Sequence, residues 1–257
     1  MVEVAFSEDR LDFTLADFTR ISWVGDRARR VWEPRLQRVS TAWSEIEWLS
    51  VKDGVRRCAL SVVSPEALIE KGGVWARHGL SALPLEMQGV GNYGYSSTTV
   101  APTVGQSFGF RVVIGTPSDV AGFKQAFEDA DDAAMGAFLG FPSCCLGFFR
   151  EVWVDQGMVD TTWPMAVRTT APSNGEAILD VDGPAEANIL WRWMGLRMVP
   201  HLPCRFDCDE TIAFGRRLVE VGRNAGYDEE MDWMAEVLSW PAEWSALHGS
   251  RKSRRRF

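Results

Sequence analysis

No stretch of this 257-residue chain approaches the ~20 uninterrupted apolar residues of a membrane-spanning helix. The first residues, Met1 to Arg10, carry no basic segment followed by an apolar one, so they do not read as a secretory signal. Histidine and tyrosine are scarce, at three each, which leaves little material for histidine-rich metal or acid–base sites. Also missing are a Walker loop, a dinucleotide fingerprint, a H-E-x-x-H helix and a G-x-S-x-G elbow, so nucleotide, zinc-protease and serine-hydrolase chemistry lack support. A net charge of −8 gives the body no general attraction to nucleic acid or anionic lipid. A cytoplasmic location is the expectation, and there cysteines stay reduced and their clusters read as metal-binding or catalytic.

Against this background one residue type is distributed unevenly. Four of the five cysteines fall in two short stretches, Phe141-Pro-Ser-Cys-Cys-Leu-Gly-Phe-Phe149 and His201-Leu-Pro-Cys-Arg-Phe-Asp-Cys208. In each, a proline stands just ahead of the first cysteine. The fifth, Cys58, lies in a strand-like segment and reads as a small core residue. Twelve tryptophans, spread along the whole chain, supply core and half-buried anchors.

The spacing of apolar residues predicts an α+β protein, with a small sheet in a mixed N-terminal half and a mainly helical C-terminal half. Helical periodicity marks residues 8–49, carried by Leu11, Leu15 and Phe18 and then by Ile21 and Val24, with Pro34 opening a helix through Leu36, Val39, Trp43 and Ile46. Glu47–Val51, a turn at Asp53-Gly54 and Val55–Val63 read as a β-hairpin. Ser64-Pro65-Glu66 starts a helix over 65–71. The glycine-rich 72–109 reads as a long loop or hairpin, and its Gly89-Val-Gly-Asn-Tyr-Gly94 lacks the spacing of a phosphate-binding turn. Phe108–Ile114 is the strongest strand, apolar enough to be buried on both faces.

Thr116-Pro-Ser-Asp119 caps a helix expected to run through Phe138 and end at Gly140. Pro142 breaks the chain, and a new helix carries Leu146, Phe149, Val152 and Trp153. Residues 157–187 read as loop with room for short strands, Ala185–Met198 as a helix, Pro203 as the opening of the next, and 228–247 as a last helical region cut at Pro241. The implied organisation is an N-terminal region 1–115, a cysteine-motif region 116–250 and a basic tail 251–257. That tail, Arg251 to Arg256, reads as solvated and offers the one route to nucleic acid.

Two cysteine pairs that each begin a helix can bring four thiolates together, because helix N-termini favour the ionised thiol. If Cys204 and Cys208 share a helix, their i, i+4 spacing puts both on one face. Adjacent Cys144 and Cys145 make an awkward chelate for one ion, whereas a [4Fe–4S] cluster spreads its ligand positions more widely. Cys144, Cys145, Cys204 and Cys208 are thus candidate ligands of an iron–sulfur cluster, with zinc as the alternative and His201 as a further metal ligand. Three functions stay open: an iron–sulfur enzyme acting on an unidentified substrate, a structural zinc module serving a partner or nucleic acid, and a dithiol redox protein. Neither pair is C-x-x-C, and the radical signature C-x₃-C-x₂-C is absent.

Gly140-Phe-Pro-Ser-Cys-Cys145 and His201-Leu-Pro-Cys-Arg-Phe-Asp-Cys208 resemble two elements, G-[FY]-P-x-C-C and H-x-P-C-x-x-x-C, shared by a family of archaeal and bacterial proteins of unknown function. The resemblance spans roughly residues 130–225. It implies that the four cysteines and His201 form one site, and it implies no reaction.

Overall fold

The structure is a computed structural model that describes residues 25–89, 101–157, 162–170, 178–181, 183–192, 195–240, 242–245 and 251–253. The expected helical segment through Leu11, Leu15, Phe18, Ile21 and Val24 lies outside these residues, as does most of the 89–94 glycine stretch.

The fold is α+β. A three-stranded antiparallel sheet comprises β1 (Cys58–Val63), β2 (Ser81–Gly89) and β3 (Phe108–Gly115), in the order β1-β3-β2. The apolar run of β3 places it at the centre, paired on both edges: Ala59 opposes Ile114 across one, and Ala82 opposes Ile114 across the other. Its alternating side chains serve two cores. Val112 and Ile114 pack with Ala59, Val63, Trp48 and Trp75 beneath α1 (Asp26–Lys52) and α2 (Pro65–Arg77). Val113 points the other way with Cys58, toward Val120, Phe123 and Leu139 of the helical layer formed by α3 (Pro117–Glu128) and α4 (Asp132–Phe138). Cys58 is fully buried, and burial pushes its thiol up to about 12, the role of a packed apolar residue.

α1 serves two cores at once. Trp48 and Val51 face the sheet, while Val39, Trp43 and Ile46 join the largest core with Phe148, Phe206, Phe214, Leu218 and Met231. That core gathers α5 (Ser143–Phe149), the π-helical turn Arg150–Asp155 that extends it, α6 (Thr162–Thr169), α7 (Asp209–Asn224) and α8 (Asp228–Leu238). A second sheet joins β4 (Ile178–Val181), β5 (Ala242–Ser245) and β6 (Arg251–Ser253), all antiparallel.

Several elements differ from the sequence reading. Pro34 lies inside α1 rather than at a helix start; its position is exposed, where water can satisfy the carbonyl that a proline leaves without a donor. Residues 47–51 continue α1 instead of forming a hairpin strand, and Gly54, at φ +71°, turns the chain toward β1. The buried carboxylate of Glu47 explains the preference. It pairs with buried Arg56, whose Nη2 also donates to the Glu47 carbonyl at 2.8 Å and whose Nε donates to Ser50 Oγ at 2.7 Å. Such a set needs Glu47 and Ser50 on one helical face.

The segment 72–109 contains the end of α2 and all of β2. The helix expected from 117 to 138 breaks where Ala130 takes φ +53°, giving α3 and α4. The described residues of Ala185–Met198 do not form one helix: after a 3-10 turn at Ala185–Ala187, the Asn188 side chain accepts from Leu190 N and donates to the Leu238 carbonyl. A short amide that bonds the backbone in this way competes with helix formation. The last helix stops at Leu238, and 242–245 pairs as a strand. Arg251–Ser253, expected to be free, forms the edge strand β6.

Candidate metal centre

Two turns deliver the cysteines. Gly140 leaves α4 with φ +73°, and a Cβ there would stand 3.0 Å from Arg56 Cβ, so a left-handed residue without a side chain is required. Phe141 and Pro142 follow, and Pro142 fixes the entry into α5, putting Cys144 and Cys145 in its first turn. Gly136 allows α4 to approach α5 closely, because a Cβ on it would collide with the Leu146 side chain.

The second turn starts at His201. Pro203 does not open a helix. Cys204 to Asp207 form irregular turns, and α7 begins only at Asp209 with Cys208 as its N-cap residue. The backbone groups there are committed sideways: Cys204 N donates to Cys145 Sγ at 3.3 Å and Phe206 N donates to Thr169 Oγ1 at 2.8 Å. Cys204 and Cys208 therefore do not share a helical face, and a folded turn brings them together. Arg205 and Asp207 pair with each other, while Asp209 and Glu210 occupy the first turn of α7, where carboxylates complement the helix dipole.

The outcome is one group. The Sγ atoms of Cys144, Cys145, Cys204 and Cys208 lie within 4.8 Å of one another. Cys144 to Cys208 is 3.7 Å, and Cys145 is 3.9 Å from both Cys144 and Cys208. The adjacent pair, expected to chelate awkwardly, spans the same 3.9 Å as Cys145 to Cys208. Cys58 is not among this group. Four thiol sulfurs at this spacing could hold a metal ion.

The sulfurs differ in surroundings. Cys145 and Cys208 are buried, Cys204 is half-buried and Cys144 is exposed. Burial pushes the Cys145 thiol up strongly, and hydrogen bonds from Thr211 and Cys204 only partly offset it. Burial, with the neighbouring Cys208 sulfur, pushes Cys204 up to about 12. Burial acts on Cys208 in the same direction, but the Thr211 hydroxyl, the Thr211 backbone N–H and the neighbouring thiols outweigh it and hold Cys208 below the ordinary cysteine value. Cys208 is accordingly the most readily ionised of these three, and the natural first thiolate to meet a cation.

His201 stands two hydrogen bonds from the sulfurs, with Thr211 between. Its Nε2 is 3.0 Å from Thr211 Oγ1, which in turn is 3.3 Å from Cys145 Sγ. The ring lies between Phe141 and Phe214, at centroid distances of 5.0 and 5.8 Å. Burial, and then the Arg56 cation, hold its basicity down to about 3, so the imidazole is neutral at physiological pH. Among the described residues its Nδ1 has no hydrogen-bond partner. A neutral ring with a bare Nδ1 carries its proton on Nε2 and donates to Thr211, whose own hydroxyl proton is then free to point at Cys145.

Thr211 was not singled out from the sequence, although one signal for it exists. It is the third residue after the N-cap Cys208, the position that meets a capping side chain. No family model matches the chain, and neither does any curated protein or solved structure.

Proposed function

We propose that this is a metal-binding protein in which Cys144, Cys145, Cys204 and Cys208 hold a single zinc ion, clipping the first turn of α5 to the N-terminus of α7. The sulfur spacing carries this reading. A metal–thiolate bond of ~2.3 Å places tetrahedral sulfurs ~3.8 Å apart; the separations among Cys144, Cys145 and Cys208 are 3.7, 3.9 and 3.9 Å, and Cys204 lies within 4.8 Å of each. An iron–sulfur cluster, the first expectation from the adjacent cysteines, puts each thiolate on a different iron at the outside of a cube, which calls for a wider spread. Four thiolates also complete the coordination of zinc and leave no position for a substrate, which suits a brace rather than a catalytic metal. The segments it ties are distant in sequence, since Cys145 and Cys204 are 59 residues apart.

Elemental analysis of protein purified without added metal tests the proposal. One zinc per chain without acid-labile sulfide is expected, and the zinc should be lost in Cys208→Ala. Replacement by cobalt should give the intense visible bands of a tetrahedral thiolate site. Four irons and four sulfides per chain, in protein isolated without oxygen, would establish the cluster instead.

A further inference from the structure

We propose that Cys144 is an acceptor of alkyl groups: a metal-activated thiolate that takes an unhindered carbon from a soft alkylating electrophile. This rests on the four-cysteine metal reading above and goes beyond it, since a brace alone requires no reactive ligand.

The four sulfurs are protected to different degrees. Cys145 is buried and receives two hydrogen bonds, from Cys204 N at 3.3 Å and from the Thr211 hydroxyl at 3.3 Å. Cys208 is buried at the start of α7, and Cys204 is half-buried. Cys144 is exposed, and its polar contacts among the described residues are the sulfurs of Cys145 and Cys208, at 3.9 and 3.7 Å. A hydrogen bond to a thiolate stabilises the negative charge and lowers its nucleophilicity, and burial blocks approach of the electrophile. Cys144 is exposed, and among the described residues no nitrogen or oxygen donor bonds its sulfur.

The metal supplies the remaining condition. A divalent ion displaces the thiol proton and keeps the sulfur anionic, while four thiolates on one such ion leave an excess of negative charge that makes the exposed ligand electron-rich. Arg205, the cation beside the second turn, is engaged by Asp207 through Nη2 to Oδ2 at 2.8 Å.

The step balances without a further reactant. The Cys144 sulfur lone pair attacks the electrophilic carbon, a C–S bond forms as the bond from carbon to the leaving group breaks, and that group departs with the bonding pair. No proton moves, because the sulfur already carries none. The product is a neutral thioether, a weaker ligand, and the centre becomes less negative by one charge. A permanent change at a brace between α5 and α7 would register exposure to alkylating agents.

Zinc-loaded full-length protein treated with a limiting amount of iodoacetamide provides the test, read by intact mass, by peptide mapping and by the zinc retained. Zinc content is measured first: protein that binds no zinc refutes the metal reading, and this proposal with it. With zinc bound, carboxamidomethylation should appear first at Cys144, at least about tenfold faster than at any other ligand, the ratio that one charge-assisted hydrogen bond supports. Thr211→Val should narrow that preference by speeding modification of Cys145, and Thr211→Ser should restore it. Equal reaction at all four ligands, first reaction at another cysteine, or modification only after the zinc has left would overturn the proposal.

Discussion

His201, linked to the sulfurs through Thr211, and Arg56, whose charge acts on His201, each make a measurable contribution of their own. The His201 ring, with its basicity held down from the ordinary 6.5 to about 3, stays neutral in the folded chain over a range where the unfolded chain takes up a proton. Its contribution to stability is therefore complete above pH 6.5, declines as the pH falls, and is exhausted near pH 3. Denaturant unfolding of metal-free protein at several pH values reads this directly. His201→Gln should lose less stability than the parent across that window; an unchanged acid limb would mean that the imidazole is not buried as described. Arg56 pairs with Glu47 where both side chains are almost fully enclosed. Arg56→Met leaves the buried Glu47 carboxylate with only the longer 3.8 Å contact to Arg197 and should cost about 3 kcal/mol in unfolding free energy, while Arg56→Met with Glu47→Leu should recover much of it.

Residue types and spacing made the cysteine group legible. Four cysteines in two proline-led pairs signalled one site, and their sulfurs do converge. What the sequence did not reveal was how Thr211 and His201 connect to them, because that depends on where α7 starts. A helix opened by Pro203 would have turned Thr211 away from the place it takes when Cys208 is the N-cap.

Among the elements, those with a single strong local signal agree with their sequence reading. Ser64 and Thr116 cap α2 and α3 by accepting from Ala67 N and Asp119 N, and β3 is the buried central strand that its apolar run required. The disagreements arise where two elements share a pattern or where a distant partner decides. Trp48 and Val51 fit a strand or the last turn of a helix equally well, and the buried Glu47–Arg56 pair selects the helix. Ile189 and Leu190 are core residues in either reading, but the bond from Asn188 to the Leu238 carbonyl holds their backbone out of a helix. The connection from α4 to α5 offers a test at this scale. Gly140→Ala imposes a left-handed conformation on a residue with a Cβ and presses on Arg56, so about 1–2 kcal/mol of stability should be lost. Zinc affinity should fall with it, since the turn sets the position of Cys144 and Cys145. Competition with a chromophoric chelator would show the change, and an unaltered affinity would separate the turn from the site.

At the scale of the whole molecule the proposed metal would tie together parts of a core that is already extensive. Phe148 from α5 and Phe214, Leu218 and Val221 from α7 are buried in the same cluster, so the chain has apolar packing enough to hold its helices without metal. Removing zinc should leave the helical circular dichroism largely intact while lowering the melting temperature, by on the order of 10 °C at saturating zinc for a chain of this length. Zinc uptake at neutral pH should also release protons. Burial keeps the Cys145 and Cys204 thiols protonated in the metal-free state. Affinity should accordingly strengthen as pH rises, which calorimetry in buffers of different ionisation enthalpy can follow. Among the described residues no helix is long and apolar enough to cross a membrane.

The central claim, one ion held by four thiolates, is most directly tested by X-ray absorption at the metal edge of the protein as purified. The expected first shell is four sulfurs at ~2.3 Å with no nitrogen and no metal–metal scattering. A metal–metal shell would place a cluster between α5 and α7, and a nitrogen in the first shell would bring His201 onto the metal in place of a cysteine; either result contradicts the site described.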